Sequence, residues 1–82
     1  MWYMDALRLV QLCIEHNLLK TAEDGVLIYL KENEETPEGW YLFSKEQVAH
    51  RLMEDNNGVH TLTNALADLG IEFKPKYQTH NH

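Results

Sequence analysis

Apolar residues near the start of the chain recur at the spacing of an amphipathic helix. Between residues 5 and 16 they stand at Ala6, Leu9, Val10, Cys13 and Ile14. Charged residues fall on the opposite side, so the pattern predicts a helix with one core-facing stripe. Asn17 tolerates a left-handed backbone and is suited to end this helix.

The next apolar run predicts a second helix. Thr21 and Asp24 have the three-residue spacing of an N-terminal cap. The apolar residues between positions 26 and 30 would then face the core. The acidic residues 32–39 include a proline and a glycine, which predicts a loop.

A short strand and a capped helix are expected after this loop. Residues 40–43 are aromatic and apolar, as is typical of a strand. Because strand side chains alternate between two sides, two of the three aromatic residues should face the core, and the third should be exposed or lie at an interface. Ser44 and Gln47 then have the spacing of a capping box at the start of a helix.

The remaining pattern predicts a turn at residues 55–58, a helix over residues 59–69 and a final strand. Gly70 is placed to stop the helix. Residues 71–74 alternate between apolar and polar, and they should pair with residues 40–43 because an isolated strand leaves its backbone groups unpaired. The predicted fold is mainly α with a minimal two-stranded β-sheet, in the order α-α-β-α-α-β.

The last two predicted helices, with the segments around them, resemble a winged helix-turn-helix domain. Within FSKEQVAHRL and VHTLTNALADLGIEF, Ala49 occupies the small-residue position, and Val59 and Leu62 follow ten and thirteen residues later. The resemblance spans residues 26–74. It implies one winged-helix-like domain, which together with an extra N-terminal helix covers residues 1–76. Residues 77–82 show no periodicity and are expected to form a flexible tail.

Composition narrows the function. The 82 residues suit one small domain, and seven Lys and Arg against thirteen Asp and Glu give a net charge of −6. One cysteine cannot form an internal disulfide, which favours a reducing compartment. The sequence shows neither an apolar run long enough for a membrane span nor a signal peptide, so we expect a cytoplasmic protein.

The charge pattern separates two functional hypotheses. The predicted recognition helix, residues 59–69, contains no Lys or Arg, although cationic contacts to phosphate supply most nonspecific DNA affinity. We therefore favour a non-catalytic acidic interaction module of helix-turn-helix type, with a size that would suit a phage or mobile-element accessory protein. The alternative is a DNA-binding transcriptional regulator of the winged-helix class. Its nucleic-acid contacts would be Lys45, Arg51, Asn64, Lys74 and Lys76.

Two features point to protein partners. Apolar residues at the N-terminus lie outside the core-facing stripe and predict either self-association as a homodimer or packing against the other helices of the same chain. They are Trp2, Tyr3, Leu7 and Leu12. The glutamates of residues 32–39 form either a solvated turn or an acidic patch offered to a basic partner.

Catalytic and metal-binding patterns are weak. Cys13 and His16 lie three residues apart, but a zinc site needs further ligands at matching spacing. A pair of Cys13 with His50 or His60 lacks an orienting third group. The terminal residues 80–82 have the sequence HNH, but these three residues alone are no evidence for a nuclease. We predict no catalytic residue, no metal and no cofactor, and a small metal or thiol enzyme is the least favoured hypothesis.

Overall fold

The computed structural model describes residues 1–76, which form three helices and a three-stranded sheet. The elements in chain order are α1 (Tyr3–Glu15), β1 (Lys20–Ala22), β2 (Gly25–Leu30), β3 (Gly39–Phe43), α2 (Lys45–Met53) and α3 (Asn56–Asp68). All three strands precede the second helix, so the predicted order α-α-β-α-α-β with a two-stranded sheet is wrong. Residues 77–82, predicted to be a flexible tail, lie outside the described residues.

The strands form an antiparallel meander in the order β1-β2-β3. Ala22 pairs with Gly25, so Glu23 and Asp24 alone make the turn between β1 and β2. Glu23 has a φ of +54°, and tight two-residue hairpin turns require such a positive value. Gly25 allows the strands to approach closely, since a Cβ there would lie 2.6 Å from the carbonyl oxygen of Phe43.

The segment predicted as a second helix forms β1, the hairpin turn and β2. Thr21 pairs with Val26 across the hairpin and Asp24 lies in its turn, so these residues make no helix cap. Val26 is fully buried, and Ile28 packs against the same core. Such β-branched side chains fit a pleated surface better than a helix, where their rotamers are restricted.

The strand predicted at residues 40–43 is confirmed as β3, but its partner is β2. Phe43 lies opposite Val26 and Gly39 opposite Leu30. The predicted pairing with residues 71–73 is therefore wrong, and residues 71–76 form no strand. The later segment instead contributes the side chains of Ile71 and Phe73 to the core.

Helix α1 confirms the first predicted helix and begins slightly earlier than the apolar stripe. Its buried residues are Asp5, Ala6, Leu9, Val10 and Cys13. Asn17 ends the helix as predicted, with a φ of +60°. The amides of Asn17 and Leu18 donate to the carbonyls of Ile14 and Cys13, at 3.1 and 2.8 Å, and so satisfy the last turn.

Helices α2 and α3 form two consecutive helices joined by a short turn. The predicted capping box is confirmed: the Ser44 hydroxyl accepts from the Gln47 amide at 3.0 Å, and the Gln47 side chain accepts from the Ser44 amide at 2.8 Å. The Asp55 carboxylate accepts from the Gly58 amide at 2.9 Å. This cap starts α3 at Asn56, so most of the predicted turn at residues 55–58 is the first turn of the helix.

Gly70 ends α3 as predicted. Its φ is +83°, which favours glycine. Its amide donates to the Ala67 carbonyl at 2.9 Å, and the Ile71 amide donates to the Leu66 carbonyl at 3.0 Å. This pair of bonds turns the chain back towards α1.

Hydrogen bonds to a buried carboxylate hold the segment after α3 against α1. Asp5 is fully buried and accepts from the Lys76 amide at 2.7 Å and from the Arg8 guanidinium at 3.1 Å. Arg8 also donates to the Lys74 carbonyl at 3.3 Å and lies over the ring of Phe73 at 5.0 Å. Residues 73–76 therefore pack against α1.

The core lies between the three helices and the inner side of the sheet. Its buried apolar residues are Ala6, Leu9, Val10, Cys13, Val26, Val48, Ala49, Leu52 and Leu66. Over residues 1–76, no helix has the length and apolar composition needed to cross a membrane.

Candidate interaction surface

The outer side of the sheet carries four large apolar side chains, which we call the outer sheet face: Leu27, Tyr29, Trp40 and Leu42. Tyr29, Leu42 and Trp40 are 47, 50 and 54% exposed, and Leu27 is half-buried. Strand side chains alternate between two sides, so these residues point away from the core that contains Val26. The expectation that one of the three aromatic residues of β3 would be exposed is confirmed, and that residue is Trp40.

Strand register places the four side chains in two facing pairs. Tyr29 lies opposite Trp40, and Leu27 lies opposite Leu42. The aromatic rings meet edge to face, with centroids 5.3 Å apart and an interplanar angle of 76°. This is a preferred aromatic geometry, and facing pairs of this kind stabilise a sheet. The rings are thus ordered before anything binds them, which lowers the entropy cost of binding.

Lys20 places a cation on this surface. It pairs with Leu27, and its ammonium group reaches across β2 to lie 4.8 Å from the centroid of the Trp40 ring. Neither of the ion pairs formed within residues 1–76 involves Lys20. The face of an indole ring attracts a cation through its quadrupole, so Trp40 already acts as a cation acceptor within the chain.

Glu38 joins the outer sheet face to the acidic connection between β2 and β3. The Tyr29 hydroxyl donates a hydrogen bond to the Glu38 carboxylate. This bond, with a smaller contribution from desolvation, raises the pKa of Tyr29 above its usual 10.0, because the carboxylate favours the protonated phenol.

The connection itself, residues 31–38, has internal hydrogen bonds that give it a defined shape. The Asn33 side chain accepts from the amides of Glu35 and Thr36, at 2.8 Å in both cases. The exposed carboxylates of this connection are those of Glu32, Glu34, Glu35 and Glu38. They therefore stand at one end of the outer sheet face.

The residues predicted to mediate self-association differ in exposure. Trp2 is 55% exposed, whereas Tyr3, Leu7 and Leu12 are half-buried and pack against the core. The Tyr3 ring also contacts the His50 ring, with centroids 4.7 Å apart. The structure therefore gives three of these four side chains contacts within the chain.

The residues predicted to contact nucleic acid lie on three different elements. Lys45 and Arg51 are on α2, Asn64 is exposed on α3, and Lys74 and Lys76 are in the segment after α3. Arg51 lies over the ring of Phe43 at 4.7 Å, and the Lys74 ammonium is 4.0 Å from the Glu72 carboxylate. Two of these cations thus have contacts inside the chain.

An open depression of about 400 Å³ lies between the end of α3 and the following segment. Asn64, Ile71 and Phe73 are among its lining residues. Ile71 and Phe73 pack against the core, so their burial has a structural explanation.

Candidate catalytic and metal-binding residues do not converge in the described part of the chain. Cys13 is buried in the core, and burial raises the pKa of its thiol to about 11, which disfavours the nucleophilic thiolate. Among residues 1–76, no group of three or more His, Cys, Asp and Glu side chains is arranged to hold a metal ion. The HNH residues 80–82 lie outside the described residues.

Comparisons with protein-family models, with curated proteins and with solved structures find no match to this chain.

Sequence reasoning missed half of the outer sheet face because Leu27 and Tyr29 were assigned to a helix. The signal that could have found them is the β-branched and aromatic run VLIYL, because such a run directly after the turn-favouring residues Asp24 and Gly25 is typical of a strand. Lys20 was missed for the same reason, because only the hairpin brings it to the same side as Trp40.

Proposed function

We propose that this chain is a non-catalytic interaction module that binds another protein through the outer sheet face. The observation that carries the proposal is the exposure of three large apolar side chains, Tyr29, Trp40 and Leu42, on one side of two adjacent strands. Large exposed apolar patches mark interaction sites, and aromatic residues are enriched at the centres of protein interfaces.

The sequence of β2 supports this proposal independently of exposure. An antiparallel strand with one solvated side normally alternates between apolar and polar residues, whereas GVLIYL has apolar or aromatic residues on both sides. Such a strand is typical of a sheet that is covered on both sides. Helix α2 packs against β2 and β3 on the inner side, and a partner would cover the outer side.

A nucleic-acid partner fits this surface less well. Exposed aromatic residues on a sheet do bind single-stranded nucleic acids, but those platforms lie in positively charged grooves. Here the connection beside Trp40 carries four exposed carboxylates. On the alternative surface, α3 has no Lys or Arg to contact phosphate.

The proposal is tested by selecting a random peptide library on the immobilised chain. We expect selected peptides to bind the wild-type chain and to bind Trp40→Ala at least about tenfold more weakly, as is typical of an interface hot spot. Trp2→Ala is the matched control, because Trp2 and Trp40 are equally exposed, at 55 and 54%. Circular dichroism would establish that both variants keep the fold.

Two results would contradict the proposal. Peptides that lose affinity for Trp2→Ala but not for Trp40→Ala would place the interaction at the N-terminus instead. Tight, salt-sensitive binding of mixed-sequence duplex DNA in fluorescence anisotropy would favour the DNA-binding alternative.

A further inference from the structure

The negative charge of the chain is concentrated around the sheet. Residues 20–43 contain two lysines and six Asp and Glu residues, a net charge of −4, out of −6 for the whole chain. The residues before and after this segment carry a net charge of −1 each. The outer sheet face therefore lies in the most negative part of the molecule.

The carboxylates stand at both ends of the outer sheet face. Glu23 and Asp24 form the turn before β2, and the acidic connection of residues 31–38 follows β2. Because β2 has six residues, these two groups are about 20 Å apart along the strand. An apolar surface thus lies between two clusters of exposed negative charge.

Lys20 shows which chemical group the aromatic pair Tyr29 and Trp40 accepts. Its ammonium group lies over the Trp40 ring, with the Tyr29 ring perpendicular to the indole and Glu38 bonded to the Tyr29 hydroxyl. Two aromatic rings and a nearby carboxylate attract a cation. Lys20 is exposed, and a lysine side chain has several rotatable bonds, so a cation supplied by a partner can take its place.

The same charges argue against a second copy of the chain as the occupant. Two outer sheet faces packed against each other would bring acidic ends of both copies into one interface, where like charges oppose binding. Nucleic acid is opposed by the same repulsion.

We infer that the outer sheet face binds a basic segment of a partner protein. Apolar side chains of this segment contact Leu27 and Leu42, and one of its Lys or Arg side chains lies over the face of the Trp40 ring. Flanking cations of the partner lie near the two acidic ends. This inference rests on the proposed function of the same face and specifies the chemistry of the partner.

The test uses three synthetic peptides long enough to span β2. In the first, pairs of Leu alternate with pairs of Arg, so that an extended chain presents both residue types on each side; in the second, pairs of Leu alternate with pairs of Glu; in the third, pairs of Ser alternate with pairs of Arg. The chain has two tryptophans, so Trp2→Phe leaves Trp40 as the only indole that reports binding by fluorescence. We expect the Leu-Arg peptide to bind at least about tenfold more tightly than either of the others, and to weaken as salt screens the charges.

Matched charge variants locate the effect. The double variant Glu32→Lys with Glu35→Lys and the control Glu15→Lys with Glu54→Lys both change the net charge from −6 to −2. Glu15 and Glu54 lie at the ends of α1 and α2, where a lysine is favourable for the helix. Only the first double variant should weaken binding of the Leu-Arg peptide, by about tenfold.

The outcomes separate this inference from the proposed function. Equal Trp40-dependent binding of the Leu-Arg and Leu-Glu peptides would overturn the basic partner and leave protein binding by this face intact. Absence of any Trp40-dependent binding would overturn both. A dimer in sedimentation equilibrium that Trp40→Ala dissociates, or Trp40-dependent binding of single-stranded DNA, would assign the face to a different occupant and overturn the inference.

Discussion

The two sides of the sheet are built from similar residues but have different surroundings. On the inner side Val26 is fully buried, and Ile28 and Phe43 pack against the helices. On the outer side Trp40 and Leu42 are half exposed or more. Apolar residues on both sides of a strand thus acquire opposite roles, because the helices of the described chain pack on one side.

The difference shows where stability and binding are separated in this molecule. Burial of the inner residues removes apolar surface from water during folding, at roughly 25 cal/mol per Å², and so stabilises the chain itself. The corresponding free energy on the outer side stays available for association. We therefore expect substitutions on the inner side to change unfolding and substitutions on the outer side to change binding.

The largest expected effect is from Leu66→Ala in the helical core. Leu66 is fully buried, so the substitution loses apolar burial and leaves a cavity, at a cost of about 2–5 kcal/mol in the free energy of unfolding. Leu69→Ala is the matched control, because Leu69 lies at the end of the same helix and is 54% exposed. If urea denaturation gave equal losses of unfolding free energy for the two variants, buried and exposed apolar residues would not differ in their contribution to stability.

The reactivity of Cys13 measures how well the core excludes solvent and reagents. Burial raises the pKa of its thiol from 9.0 to about 11, which lowers the thiolate fraction near pH 8 by roughly a hundredfold relative to the unfolded chain. Iodoacetamide should therefore alkylate the native chain at least about a hundredfold more slowly than the urea-unfolded chain.

The same shift predicts a pH dependence of stability. The native state holds the neutral thiol, whereas the unfolded chain ionises at lower pH. This contribution to stability is complete below pH 9, and it is lost as the pH rises towards 11 and beyond. Cys13→Ala should remove this part of the pH dependence, and equal alkylation rates in the native and unfolded chains would contradict a closed core.

Asp5→Ala tests whether the Asp5 carboxylate holds residues 71–76 against α1. The change removes the acceptor for the Lys76 amide and the Arg8 guanidinium, and unpaired donors of this kind cost about 1–3 kcal/mol. Hydrogen exchange should show loss of protection at Lys76, while the amides that join β2 to β3 keep theirs. Glu15→Ala, at an exposed position on the same helix, should leave both unchanged.

The helices could be predicted from the sequence because their signals are local. The stripe of α1, the Ser44 and Gln47 capping box and the Gly70 stop each depend on residues within one or two turns. The strand at residues 40–43 was predicted from its composition, and alternation alone predicted that one of its three aromatic residues would not face the core.

The sheet could not be predicted in full because its pairing is nonlocal. A run of six apolar residues fits a buried helix or a buried strand, and the spacing of Thr21 and Asp24 resembles a helix cap. Once residues 26–30 were assigned to a helix, residues 71–73 became the only partner left for β3. The outer sheet face depends on the β2 and β3 register, and so was outside the reach of local patterns.

The smallest change in the free energy of unfolding is expected from Leu42→Thr on the outer sheet face. Because stability hardly changes, a loss of binding by this variant can be assigned to the interface. Leu42 is 50% exposed, and threonine keeps the preference for a strand, so the free energy of unfolding should change by less than about 0.5 kcal/mol. The same substitution removes an apolar contact from the proposed interface, so the Leu-Arg peptide should bind several-fold more weakly to this variant. A loss of stability comparable to that of Leu66→Ala would mean that Leu42 belongs to the core of the chain, since its side chain also lies close to Gly25 beside the hairpin turn. A loss of binding without a loss of stability would place the contribution of Leu42 at the surface that a partner covers.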